Sequence, residues 1–276
     1  MKKITAIILT LALVLMLFGC GKKTETPPEE QPTDASQSDD GALMIKAVIA
    51  DGAETGDLIF AGENAGDLYT ASAGIFTVYL DGEKADASVL KDGMHAEIKC
   101  SSLLETYPMS FGNGSELYVY SYGSEKEPKD SYYDVCGMCL AVLDDLWEDD
   151  DGLNNDIEYI SVDLSAVGNA MTESEKNAVA WIFAGKHSAQ SLTMTFDRLC
   201  DEGYVNRDEL YWKNGLLFSI KQNEGDSGKT LTGKPALSFS ASKWRSGLGA
   251  IFFTECKAEW NAKGEWNYET GGFAIA

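Results

Sequence analysis

The chain has 276 residues, 44% hydrophobic and 11% aromatic, with 44 Asp and Glu against 22 Lys and Arg, a formal net charge of −22. That is ample apolar material for a core, and an acidity that disfavours nucleic acid and direct adsorption to an anionic membrane. The charge is uneven: Glu125 to Glu158 carries twelve acids against two lysines, whereas Ser227 to Ala276 carries six bases against four acids.

Chain order begins with Lys2 and Lys3, an apolar run from Ile4 to Phe18, and Gly19-Cys20. Such an order is that of a secretory signal, and Leu17-Phe18-Gly19-Cys20 fits the bacterial lipobox. Residues 1–19 are expected to be removed and Cys20 to become the lipidated first residue. The apolar run is shorter than the roughly 20 residues a spanning helix needs. Residues 20–43 are rich in Pro, Glu, Ser, Thr and Asp, cannot offset their ordering entropy, and read as a spacer. The expected location is the extracytoplasmic face of a bacterial cell membrane, and a membrane partner is implied through the lipid on Cys20. Loss of Lys2 and Lys3 would take the net charge from −22 to −24.

Residues 44–122 read as β. Met44–Ala50, Ile75–Leu80, His95–Cys100 and Glu116–Tyr122 are rich in strand-forming residues. Asp51-Gly52, Asp81-Gly82, Asp92-Gly93 and Asn113-Gly114 punctuate them. Four to six short strands so spaced suggest a small OB-like β-barrel. Residues 123–130, polar and charged, form the expected connector.

Residues 131–276 read as an α+β domain. A helix over about 131–148 would bury Val135, Met138, Cys139, Val142 and Leu146. Glu158–Leu164 alternates like a strand. Thr172-Glu173-Ser174-Glu175 is a capping box opening a helix to about Lys186, which would bury Ala178, Val179, Ile182 and Phe183. A short helix around Phe196, Leu199 and Cys200 closes at Gly203. Tyr211 to Leu217, with Asn214-Gly215 at its centre, predicts a hairpin with a type I′ turn. Phe239–Trp244, Ala250–Trp260 and Glu265–Ile275 complete an antiparallel meander. The order helix, helix, hairpin over Glu173–Ile220 resembles a winged helix, but without the basic face that DNA binding requires.

Three constellations could carry chemistry, and a fourth feature, the histidines, does not. Cys136-Gly137-Met138-Cys139 is a CxxC at a helix start, where a lowered thiol pKa would support disulfide exchange. The alternative is two apolar core residues, with Asp134 capping the helix while raising the thiol pKa. The five cysteines left after Cys20 are odd in number and do not space as a disulfide scaffold. Second, the acidic run ending at Glu158 lies at a helix C-terminus, where the macrodipole disfavours negative charge. A Ca²⁺ ion held by Asp149, Asp151 and Glu158 would relieve that conflict, although Trp147 stands where the first ligand of the calcium-loop template belongs. A solvated acidic loop is the other reading. Third, Lys243, Trp244 and Arg245 could stack on a sugar or clamp a carboxylate, with Trp181, Trp212, Trp260 and Trp266 adding to the patch, or pack in the core. Fourth, neither His95 nor His187 stands in a nucleophile or zinc motif.

Leu143-Asp144-Asp145-Leu146-Trp147, Gly152-Leu153-Asn154, Leu164-Ser165, Thr172 to Lys176, Ala180-Trp181 and Lys243 to Ala250 resemble an uncharacterised family of exported lipoproteins from Gram-positive (clostridial) anaerobes. Similar segments accompany extracytoplasmic parts of membrane peptidases that resemble the β-lactam sensor-transducers. Glu105-Thr106-Tyr107-Pro108 is similar to small OB-like exported domains. The resemblance implies a sensory or binding role in the envelope and no catalytic residue, because H-E-x-x-H is absent. The expectation is a lipid-anchored, non-catalytic binding or sensory protein with a cell-wall ligand or an envelope protein as partner. The alternatives are a thiol-disulfide protein using Cys136 and Cys139, or a solute-binding transport component.

Overall fold

Strand pairing in the first half runs from β-branched and aromatic stretches separated by glycine turns, as the composition there dictates. The computed structural model describes residues 36–37, 42–126, 134–229 and 235–276. The signal peptide, Cys20, most of the expected spacer and residues 127–133 of the connector region lie outside them. Ser36–Gln37 (β1), within the stretch expected to be a spacer, pairs antiparallel with Leu43–Asp51 (β2).

The first sheet continues with Asp57–Gly62 (β3), Leu68–Ser72 (β4), Phe76–Leu80 (β5), Glu83–Ala85 (β6), His95–Cys100 (β7), Leu103–Leu104 (β8), Met109–Phe111 (β9) and Ser115–Val119 (β10). Its order is β6-β5-β10-β7-β2-β3-β4-β9-β8, with β1 on β2. The β4–β9 and β5–β10 pairs are parallel. No ladder joins β9 to β10 among the described residues, so the sheet is not a closed barrel. These two strands follow one another in the chain through residues 112–114. Inward residues alternate along β7, where Ala96, Ile98 and Cys100 are buried. They meet Ile49, Leu58, Phe60, Leu117 and Val119, each at most 2% exposed, in one cluster.

The second half builds Val135–Glu148 (α1), Tyr159–Asp163 (β11), Glu173–Lys186 (α2), Gln190–Leu192 (β12), Phe196–Asp201 (α3), Gly215–Gln222 (β13), Ala236–Ser246 (β14), Gly249–Trp260 (β15), Trp266–Glu269 (β16) and Gly272–Ile275 (β17). Its sheet runs β12-β11-β13-β14-β15-β16, with β17 also on β15. The β11–β12 and β11–β13 pairs are parallel, and β13 to β16 form the expected antiparallel meander. The class is therefore α+β with two mixed sheets. No described helix is long and apolar enough to cross a membrane.

α1 and α2 touch both sheets. The apolar face of α1 includes all five residues expected, together with Cys136 and Leu143. In α2, Ala178, Val179 and Phe183 are buried and Ile182 only partly. The capping box forms: Thr172 Oγ1 accepts from the Glu175 amide at 3.2 Å, and Glu175 Oε2 accepts from the Thr172 amide at 2.7 Å. Ala50, Ala61 and Leu68 of the first sheet share a cluster with α1, α2 and the second sheet. Ser174 Oγ adds a buried hydrogen bond to the Asp67 carbonyl at 2.7 Å.

The Tyr211–Leu217 hairpin is not formed. Gly215 opens β13, which pairs parallel to β11, and Tyr211 bridges Asn206 and Ser246 instead. A Cβ on Gly215 would lie 2.0 Å from the Trp212 ring. This glycine therefore makes room for a buried indole rather than a tight turn. The winged-helix reading falls with the hairpin, and β12 stands between the two helices. The far face of the second sheet is covered by Leu199, Val205 and Trp212, which cluster with Leu217.

Candidate functional site

The acidic loop after α1 is organised by a lysine. Lys243 on β14 is fully buried. Its Nζ donates to the carbonyls of Trp147 (3.3 Å), Asp149 and Asp150 (3.1 Å) and to Asn154 Oδ1 (3.1 Å). These are the orphan acceptors that a helix C-terminus leaves, and a cation there complements the macrodipole. Burial pushes the ammonium pKa down to about 8, against the opposing pull of Asp150, Asp149 and Asp151. Arg245 completes the arrangement, donating to the carbonyls of Leu153 (2.6 Å), Asn155 (2.7 Å) and Lys213 (2.7 Å).

The conflict that suggested Ca²⁺ is thus met by an ammonium. Glu158 turns to Asn214 Nδ2 at 2.6 Å, and no described cluster of three or more His, Cys, Asp or Glu is placed to hold a metal ion. Asp149, Asp151 and Glu158 are not gathered into such a cluster. Lys243 and Arg245 are occupied by backbone carbonyls, and Trp244 packs edge-to-face on Phe196 at 5.1 Å. The three do not come together as a ligand clamp. Trp212 is likewise a core residue.

Cys136 and Cys139 are free and at most 1% exposed. Burial, then the carboxylates of Glu175 and Asp134, pushes the Cys136 thiol well above its ordinary value. Burial raises Cys139 too, and its Sγ rests 3.7 Å from Met171 Sδ. Disulfide exchange needs an accessible, acidified thiol; these two are buried and shifted the other way. Asp134 caps α1 by accepting from the Gly137 amide at 2.9 Å. His187 is stacked on Trp147, ring centroids 3.6 Å apart, and burial lowers its pKa. It therefore sits as a neutral packing ring at the end of α2. His95 lines a cleft of about 330 Å³ with Lys46, Glu63, Glu97, Tyr120 and Glu175.

A larger groove, about 580 Å³, lies elsewhere. Its floor is six consecutive residues, Ala189 to Met194, which include all of β12 at the edge of the second sheet. One wall is Asn177, Trp181 and Gly185, a stripe of α2 at i, i+4 and i+8. Tyr107, from between β8 and β9, and Arg198 of α3 complete it. Asn177 Nδ2 donates to the Ala65 carbonyl, tying this wall to the first sheet. Tyr107 is 67% exposed, and Trp181 is half-buried. The volume is within the usual range for small-ligand pockets, and aromatic walls with a few amide and hydroxyl groups suit orientation of a polar chain. Arg198 is the only lining residue carrying a full charge at neutral pH. Sequence reading reached Trp181 but not the groove, because its parts come from four separate elements. The signal available was a tryptophan one turn after a polar Asn177 and one before Gly185, off the apolar stripe of α2.

Comparison with protein-family models, with curated proteins and with solved structures found no match.

Proposed function

We propose that this is a lipid-anchored binding protein of the extracytoplasmic face of a bacterial membrane, and that its ligand lies in the groove between β12, α2 and Tyr107. The observation that carries the proposal is the groove: two aromatic side chains and one arginine converge beside an open sheet edge. Cys20 supplies the anchor, and the residues between it and β1 the reach. The first sheet supports the finer, OB-like reading by its order. β2 pairs with β3 and β7, β3 with β4, β4 in parallel with β9, and β10 with β7. With β9 and β10 taken as one interrupted strand, that is the ring order of a five-stranded OB barrel. Tyr107 belongs to this sheet's β8–β9 connection, so the groove uses both halves.

Two measurements test the reading. Metabolic labelling with an alkyne fatty acid should tag the chain in cells, and Cys20→Ser should lose the tag. Wall glycan fragments or wall-derived peptides should raise the melting temperature of the full chain, since a ligand of the folded state must. Trp181→Ala should abolish the rise. A rise that survives both Trp181→Ala and Tyr107→Ala would place the ligand elsewhere.

A further inference from the structure

The floor of the groove is a strand edge, and that narrows the ligand. On its inner side β12 pairs with β11: the Gln190 amide donates to the Glu158 carbonyl at 2.8 Å. Four residues further on, the Met194 amide donates to Ser161 Oγ of β11 at 2.9 Å, and that hydroxyl returns to the Met194 carbonyl at 2.9 Å. In a parallel ladder the N–H and C=O of one residue point the same way and alternate between neighbours. With Gln190 turned toward β11, Ser191 turns its N–H and C=O to the open edge, beside the groove it lines. Among the described residues no strand pairs with that edge. This edge is short, three residues, which is itself a way of limiting exposed edges; it lines the groove with α2 and Tyr107 and carries no ionised side chain.

Resting on the groove reading above, we propose that the ligand is an extended peptide that adds a strand to β12, with a carboxylate at Arg198. Backbone pairing gives such additions their affinity, and pockets beside the edge select alternate side chains. β12 spans roughly 10 Å at about 3.3 Å per residue, room to pair about three peptide residues. Trp181 and Tyr107 flank the chain. Charge fixes its end. Arg198 is the only ionised group lining the groove in a chain of net charge −22. Its one ion pair among the described residues is a loose contact of 3.9 Å between Nε and Glu202, both exposed. The planar guanidinium is suited to a bidentate carboxylate, from an acidic side chain or a free C-terminus.

Amide hydrogen exchange of the full chain, with and without a randomised hexapeptide pool lacking Pro and Cys and ending in a free carboxylate, tests this. The pool should slow exchange at Ser191 at least fivefold. The same pool N-methylated at every backbone amide should not, because it cannot donate to the edge. An amidated pool without Asp or Glu should bind at least fivefold more weakly, and Arg198→Gln should erase that difference. An amidated pool that keeps Asp and Glu tells side-chain from terminal carboxylate. Equal protection by the methylated pool, or none by any pool, overturns strand addition. If the pools are silent while wall glycan raises the melting temperature through Trp181, the groove remains the site and only the peptide falls. If both are silent, both readings fall.

Discussion

Lys243 shows how one side chain can take the role expected of a metal ion. It reaches from β14 to the end of α1 and donates to three carbonyls there, two of which also accept from Asn154 Nδ2 and the Leu153 amide. Lys243→Met should cost about 3 kcal/mol in urea unfolding at pH 7, the scale for removing a buried ionic partner. Between about pH 8 and its ordinary 10.5, the unfolded chain holds a proton here that the folded chain releases. The wild type should therefore gain stability over Lys243→Met as pH rises through that window. Asp134 has the opposite sense. Burial, then the charges of Asp92, Asp51 and Glu175, raises its carboxyl from 3.8 to about 6. In that window the folded chain keeps a proton that the unfolded chain loses, so the residue's contribution falls as pH rises and stays unfavourable at pH 7. Asp134→Asn keeps the cap and removes the charge. It should be more stable than wild type by on the order of 1–2 kcal/mol at pH 7 and indistinguishable near pH 3. Equal stability at pH 7 would contradict the buried-carboxylate account.

Among the elements, periodicity was informative where one face is buried. The apolar stripe of α1, the capping box of α2 and the long strands β14 and β15 were all legible, because their signals lie within a few residues. β3 and β4 were not, since short apolar runs there are bracketed by Gly52, Gly56, Gly62 and Gly66 and read as turns. Asn214-Gly215 misled for another reason. The glycine is required by the Trp212 ring, a tertiary contact that local turn chemistry does not contain. Gly215→Ala should consequently destabilise by at least about 3 kcal/mol, as overpacking against an aromatic core does at its upper range. Chemical unfolding of that variant beside Gly185→Ala, where a Cβ meets nothing within 4 Å, separates packing from any general cost of a methyl group. The acidic loop illustrates the same limit: its charge was visible in sequence, but its partner lies some ninety residues away.

For the whole molecule, the two halves share a core through α1 and α2, and they should unfold together. All six tryptophans lie in the second half, at positions 147 to 266, while Cys100 is buried in the first sheet. Tryptophan fluorescence and Cys100 alkylation should accordingly report one urea midpoint; separated midpoints would mean independent halves. The groove belongs to this scale too. It exists only because the β8–β9 connection, α2, β12 and α3 are brought together, and the one local hint of it is Trp181 off the apolar stripe of α2. Its occupancy in the native envelope is the central claim. The most direct measurement is photocrosslinking in living cells from a benzoylphenylalanine placed at Gln190 on the groove floor, with Lys263 as the control position outside the lining. Adducts from position 190 that disappear with Trp181→Ala and are absent from position 263 are the predicted result. Equal adducts from both positions, or none from position 190, would contradict a binding site in this groove.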